Sequence, residues 1–144
     1  ALTALAVMKR GPENDVAAIG AQARRACGTG ASVRLLVVQG NDDEVVATRN
    51  AAALARQFLA LNGIDVPSGA TTTLPSPDRD DRDATDLARV VRTREWLRDA
   101  RPLVRLVEVD DLGHAWSGGE AALPFNDARP PDATAMLGAW LASA

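Results

Sequence analysis

Apolar residues recur along this chain with two different periods, and the points where the period switches divide it into elements. In "ALTALAVMKRGP" the residues Leu2, Leu5 and Met8 follow a helical spacing that ends at Gly11-Pro12, a helix-terminating pair. A second helix starts after Asn14 or Asp15, either of which suits a cap, and Val16, Ile19, Ala23 and Ala26 mark one face before Gly28 and Gly30. "VRLLVVQG", residues 33–40, is an unbroken apolar run bounded by glycine, the pattern of a strand buried on both faces in a parallel sheet. "ATRNAAALARQFLALNG" returns to the helical spacing: Leu54, Phe58 and Leu61 share a stripe, and Gly63 holds the terminating position.

From Ile64 to about Asp86 the period is lost. This stretch, rich in Pro, Thr, Asp and Arg, predicts a long mobile surface excursion over 65–86. Two strands are expected next, about 89–97 and 103–109, around an Asp99-Ala100-Arg101 turn. Arg92 and Arg94 alternate with Val91 and Thr93, which marks the first as an edge strand with one wet face. A final helix opens at Asp132 and should turn Met136, Leu137, Trp140 and Leu141 inward. The fold class is α/β, a single domain over 1–144 with a mostly parallel sheet flanked by helices.

Composition narrows the functions open to such a domain. With 144 residues, 47% of them hydrophobic, the chain can bury a true core. A net charge of −3 with no clustered basic stripe argues against nucleic acid as a partner. No apolar run approaches the roughly 20 residues that cross a bilayer, so no membrane partner is expected. Cys27 is the only cysteine, so no disulfide forms within the chain; a small buried thiol is the simpler expectation, and a cysteine elsewhere the alternative. One His and one Cys do not build a transition-metal site, and no cofactor is implied.

Chemistry in α/β sheets gathers just past the carboxyl ends of strands. One such end carries "QGNDDEVV", with Asp42 or Asp43, and another carries "DDLGHAW", with His114, the only histidine. A carboxylate on one strand tip would accept the imidazole Nδ1 proton on the next and fix its tautomer. Each residue also has an ordinary reading: a turn or cap former for the acids, a local hydrogen bond for the imidazole.

"VVQGNDDEVV", "GHAWSGG" and "NDARPPDATAMLGAWL" together resemble the second half of the polyhydroxybutyrate depolymerase/feruloyl-esterase group of α/β-hydrolases, and "ALAVMKRGP" is similar to the helix after the nucleophile there. The resemblance implies that Asp43, at the second Asp of G-x-x-D-x-x-V, is the triad acid, that His114 is the general base, and that Trp116 borders the substrate cleft. It also implies that Gly118 and Gly119 let the loop turn back closely. Gln39 stands where that group often has His, and Pro130-Pro131-Asp132 where Gly-Pro-Asp is usual.

A G-x-S-x-G elbow is absent: Ser32, Ser68, Ser76, Ser117 and Ser143 all lack it. "AWSGG" imitates it loosely, but Ser117 lies three residues past His114 in a loop and is rejected. The expected function is therefore serine-type hydrolysis of carboxylic esters, polyester or aryl by resemblance, with the serine outside this chain. The expected partners are the ester and either a missing N-terminal half or a second copy of the chain. The resemblance favours a secreted or periplasmic location. The rival is a non-catalytic α/β binding module.

Overall fold

The computed structural model describes residues 4–28, 30, 32–84 and 89–143. Leu2 of the first helical stripe and the last residues of the 65–86 stretch lie outside them. Four helices, α1 (Ala4–Arg10), α2 (Val16–Cys27), α3 (Arg49–Leu61) and α4 (Ala133–Ala142), accompany a four-stranded sheet and a two-stranded ladder among the described residues. The sheet is built from β1 (Leu35–Gly40), β2 (Arg79–Asp83), β3 (Val91–Arg98) and β4 (Arg101–Val109) in the order β1-β4-β3-β2. The ladder joins β5 (Trp116–Ser117) to β6 (Asn126–Asp127).

The α/β class holds, but the sheet is mixed. Only β1 and β4 run parallel, while β3 lies antiparallel to both β4 and β2. Parallel pairing needs a long crossover, and α3 with the segment after it supplies one; the two-residue turn at Asp99-Ala100 forces β3 and β4 antiparallel. β4 is an interior strand, between β1 and β3. Its Val104 and Leu106 pack with Ala51, Ala55 and Leu59 of α3, while Val107 and Val109 point the other way, toward Leu36, Val38 and Met136.

Several expected faces are rotated. In α2 the buried positions are Val16, Ala17 and Gly20, while Ile19 and Ala26 are exposed. In α3 they are led by Ala51, Ala55, Arg56 and Leu59, and Leu54 is exposed. Small residues win these faces because they let the backbones of α2 and α3 approach: a Cβ on Gly20 would lie 2.1 Å from the Gln57 carbonyl. In α4, Trp140 is buried and Met136 half-buried, but Leu137 and Leu141 are exposed, because each sits one residue around from the docking stripe. Cys27 is exposed rather than buried.

The 65–86 stretch is not featureless. Residues 79–83 form β2 and take the sheet edge that was expected of the 89–97 strand. Earlier in the stretch, the guanidinium of Arg56, fully buried on α3, donates to the carbonyls of Thr73, Pro67 and Gly69. Expected caps do appear: Asp15 accepts from the Ala17 and Ala18 amides, and Asp132 from that of Ala135. β1, by contrast, is paired on one side only among the described residues, with Leu35 to Val38 half-buried.

Candidate active site

The parallel register sets Gly40 beside Val109, so β1 and β4 end at the same level and their following loops leave side by side. The Asn41 amide donates to the Val109 carbonyl at 2.9 Å and the Asp42 amide to that of Leu112 at 3.1 Å, stitching the loops together. Only glycine fits at position 40, because a Cβ there would stand 2.1 Å from the Leu112 carbonyl oxygen. The stitching carries Asp43 against His114: Nδ1 of the imidazole lies 3.0 Å from Oδ2 of the carboxylate. Asp42 is exposed and contributes only its backbone to this arrangement.

The other oxygen of Asp43 is occupied by its own loop. Oδ1 accepts the amides of Val45 and Val46, both at 2.8 Å, so the carboxylate cannot swing away without losing both. Burial pushes the Asp43 pKa up, but the hydrogen bonds from Val46, His114 and Val45 outweigh it and hold the carboxyl below its ordinary 3.8. The pair is asymmetric in access. The Asp43 side chain is 9% exposed and that of His114 43%, so the acid is covered and the imidazole open. Among the described residues nothing hydrogen-bonds Nε2.

A cleft of about 390 Å³ opens beside the imidazole, lined by Val38, Gln39, Gly40, Asp43, Val46, Gly113, His114, Ala115, Trp116 and Phe125. Among the described residues Asp43, already engaged, is the only Asp, Glu, Lys or Arg along it. A depression of about 450 Å³ between α2 and residues 63–68 is lined by Asp15, Arg24, Arg25 and others, but holds no such acid–base pair.

The family model described as Esterase PHB depolymerase matches residues 1–76, just over half of the chain. The chain belongs to the PHB depolymerase esterase family. No curated protein matches it. The matched stretch includes Asp43 and ends before His114 and Trp116.

Trp116 is 47% exposed on one wall of the cleft, and its indole N–H donates to Thr134 Oγ1 at 3.1 Å. Gly118 and Gly119 do let the loop turn back: a Cβ on the first would lie 2.6 Å from the Asp132 Cα, and one on the second 1.9 Å from the Asn126 side chain. Ser117 is buried, donates its hydroxyl to the Arg129 carbonyl at 3.5 Å and is not among the residues lining the cleft. Gln39 turns its amide onto the Gly40 carbonyl at 2.8 Å. No Ser, Thr or Cys lines the cleft among the described residues. Nor does any group of three or more His, Cys, Asp or Glu there suit a metal ion.

Phe125 is the wall residue that the sequence did not reveal. It is 73% exposed, adopts φ 57°, and sets its ring edge-on to His114 with centroids 6.0 Å apart. A left-handed backbone costs a bulky residue roughly 1–3 kcal/mol, so its surroundings must impose it. They do so through the β5–β6 ladder, where the Trp116 amide donates to the Phe125 carbonyl at 2.8 Å. Arg89 then anchors the segment: its buried guanidinium pairs with Asp127 and donates to the carbonyl of Asp111 at 3.1 Å. Arg129 also grips Asp127, and these hydrogen bonds, that of Arg129 foremost, hold the Asp127 carboxyl far below the usual carboxylate range.

Proposed function

We propose that this chain supplies the acid and the base of a serine-type carboxylic ester hydrolase whose nucleophile comes from outside residues 1–144. One observation carries the reading: the 3.0 Å contact between His114 Nδ1 and Asp43 Oδ2 at the tips of adjacent parallel strands, in a chain of the PHB depolymerase esterase family. The four-stranded sheet is then the C-terminal part of an α/β-hydrolase sheet, and the bare edge of β1 is where the nucleophile-bearing part adds. Acid before base in chain order agrees with that fold.

His114 Nε2 takes the serine proton as Oγ bonds to the ester carbonyl carbon and the C=O electron pair moves onto oxygen. When the carbonyl re-forms, the C–O bond to the alcohol breaks and the alcohol leaves with the proton from Nε2. Water repeats the sequence on the acyl-serine, releasing the carboxylic acid and restoring the hydroxyl. Asp43 holds the imidazole in the tautomer with Nε2 open and stabilises the imidazolium formed on the way. Trp116 contacts the substrate. Polyhydroxyalkanoates and aryl esters are the substrates that the family suggests, acting in a secreted or periplasmic setting.

The test is ester turnover by the intact enzyme. His114→Ala should abolish it, and Asp43→Asn should lower kcat by about 10⁴-fold, as expected when the orienting carboxylate is lost. Unchanged turnover in His114→Ala supports the second reading, in which this chain binds a ligand and takes no part in the chemistry, a reading favoured by the lack of a Ser, Thr or Cys along the cleft among the described residues.

A further inference from the structure

Phe125 breaks two ordinary rules at once. A large aromatic side chain is left mostly in water, and its backbone sits in the left-handed region that bulky residues avoid. The ladder bond from the Trp116 amide and the Arg89–Asp127 anchor one turn of chain further on keep it there. The ring so displayed lies edge-on to the imidazole at a centroid distance of 6.0 Å and shares the cleft with Trp116. Among the described residues no Lys or Arg lines that cleft.

We propose that Phe125 is a specificity-determining residue, whose ring covers the apolar group of the ester that lies next to His114. The proposal rests on the hydrolase reading and adds to it which residue selects by apolar size. Two exposed aromatic faces around a cation-free cleft recognise an uncharged group by area and ring contact, and they give a small alkyl group little to hold. Trp116 is fixed by its bond to Thr134, whereas Phe125 has no such polar tether; it acts by surface alone.

Phe125→Gly isolates the ring, because glycine accepts φ 57° and the loop keeps its path. In the intact enzyme, methyl acetate is compared with phenyl acetate, whose ring is on the alcohol, and with methyl phenylacetate, whose ring is on the acyl group. The preference in kcat/KM for at least one ring-bearing ester over methyl acetate should fall about tenfold in Phe125→Gly, through KM rather than kcat, and Phe125→Trp should retain it. Which ester responds tells which side of the scissile bond the ring covers. A second arm needs no turnover: benzyl methyl ketone and acetone, carbonyl analogues without a leaving group, are titrated while the His114 ring signals are followed by NMR. Phe125→Gly should weaken benzyl methyl ketone about tenfold relative to acetone. Unchanged preferences in both arms overturn the assignment. A selective loss of ketone binding in a protein that hydrolyses no ester leaves the assignment standing and removes the hydrolase reading instead.

Discussion

The Asp43 carboxylate divides its two oxygens between the amides of its own loop and the imidazole of His114. Its role as an orienting group follows from that division: one oxygen fixes its position and the other acts. Because its folded pKa is depressed, it contributes stability that is present above the unfolded value near 3.9 and lost as pH falls through the lower folded value. The stability difference between wild type and Asp43→Asn should therefore be larger at pH 6 than at pH 2, read by urea unfolding at each pH. Equal differences would mean that the ionised form has no special partners.

At the level of elements, local signals and long-range packing part company. The β3–β4 hairpin turns through Asp99 and Ala100, both at positive φ, 51° and 62°. Asp tolerates that region and Ala does not, so Ala100→Gly should stabilise the fold by about 0.5–1 kcal/mol in urea unfolding. The Arg56 guanidinium serves three carbonyls of the segment 67–73, and Arg56→Met should cost about 3 kcal/mol or more, since those carbonyls lose their charged donor. A loss below 1 kcal/mol would show that water replaces it freely. The run 33–40, the caps Asp15 and Asp132 and the turn at 99–100 were legible in sequence because each signal is local. β2 was not, because Arg79-Asp80-Asp81-Arg82-Asp83 has no apolar alternation and is a strand only through its pairing with β3. The buried faces of α2 and α3 were misplaced because alanine and glycine, which pack there, carry little hydrophobic contrast. Spacing offered Asp42 or Asp43 as the acid to meet His114, the resemblance implied Asp43, and Asp43 is the one in contact. Phe125 was hidden because only the β5–β6 ladder brings it to the cleft.

For the molecule as a whole, β1 is left with one unpaired edge among the described residues, and Leu5, Val33, Leu54, Leu137 and Leu141 add exposed apolar surface. The polypeptide 1–144 made alone should self-associate or bind a hydrolase part that carries the serine. Light scattering that finds a stable monomer at tens of micromolar would contradict this.

The parallel pairing of β1 with β4 has a further cost in time. Asp43 and His114 are 71 residues apart in the chain, so the loop between them must close before they meet. At ribosomal speeds of about 5–20 residues per second, Asp43 is synthesised roughly 4–14 s before His114. For most of that interval β4 is still unmade and β1 lacks its neighbour on that side, and the nascent chain is then most in need of a chaperone's cover.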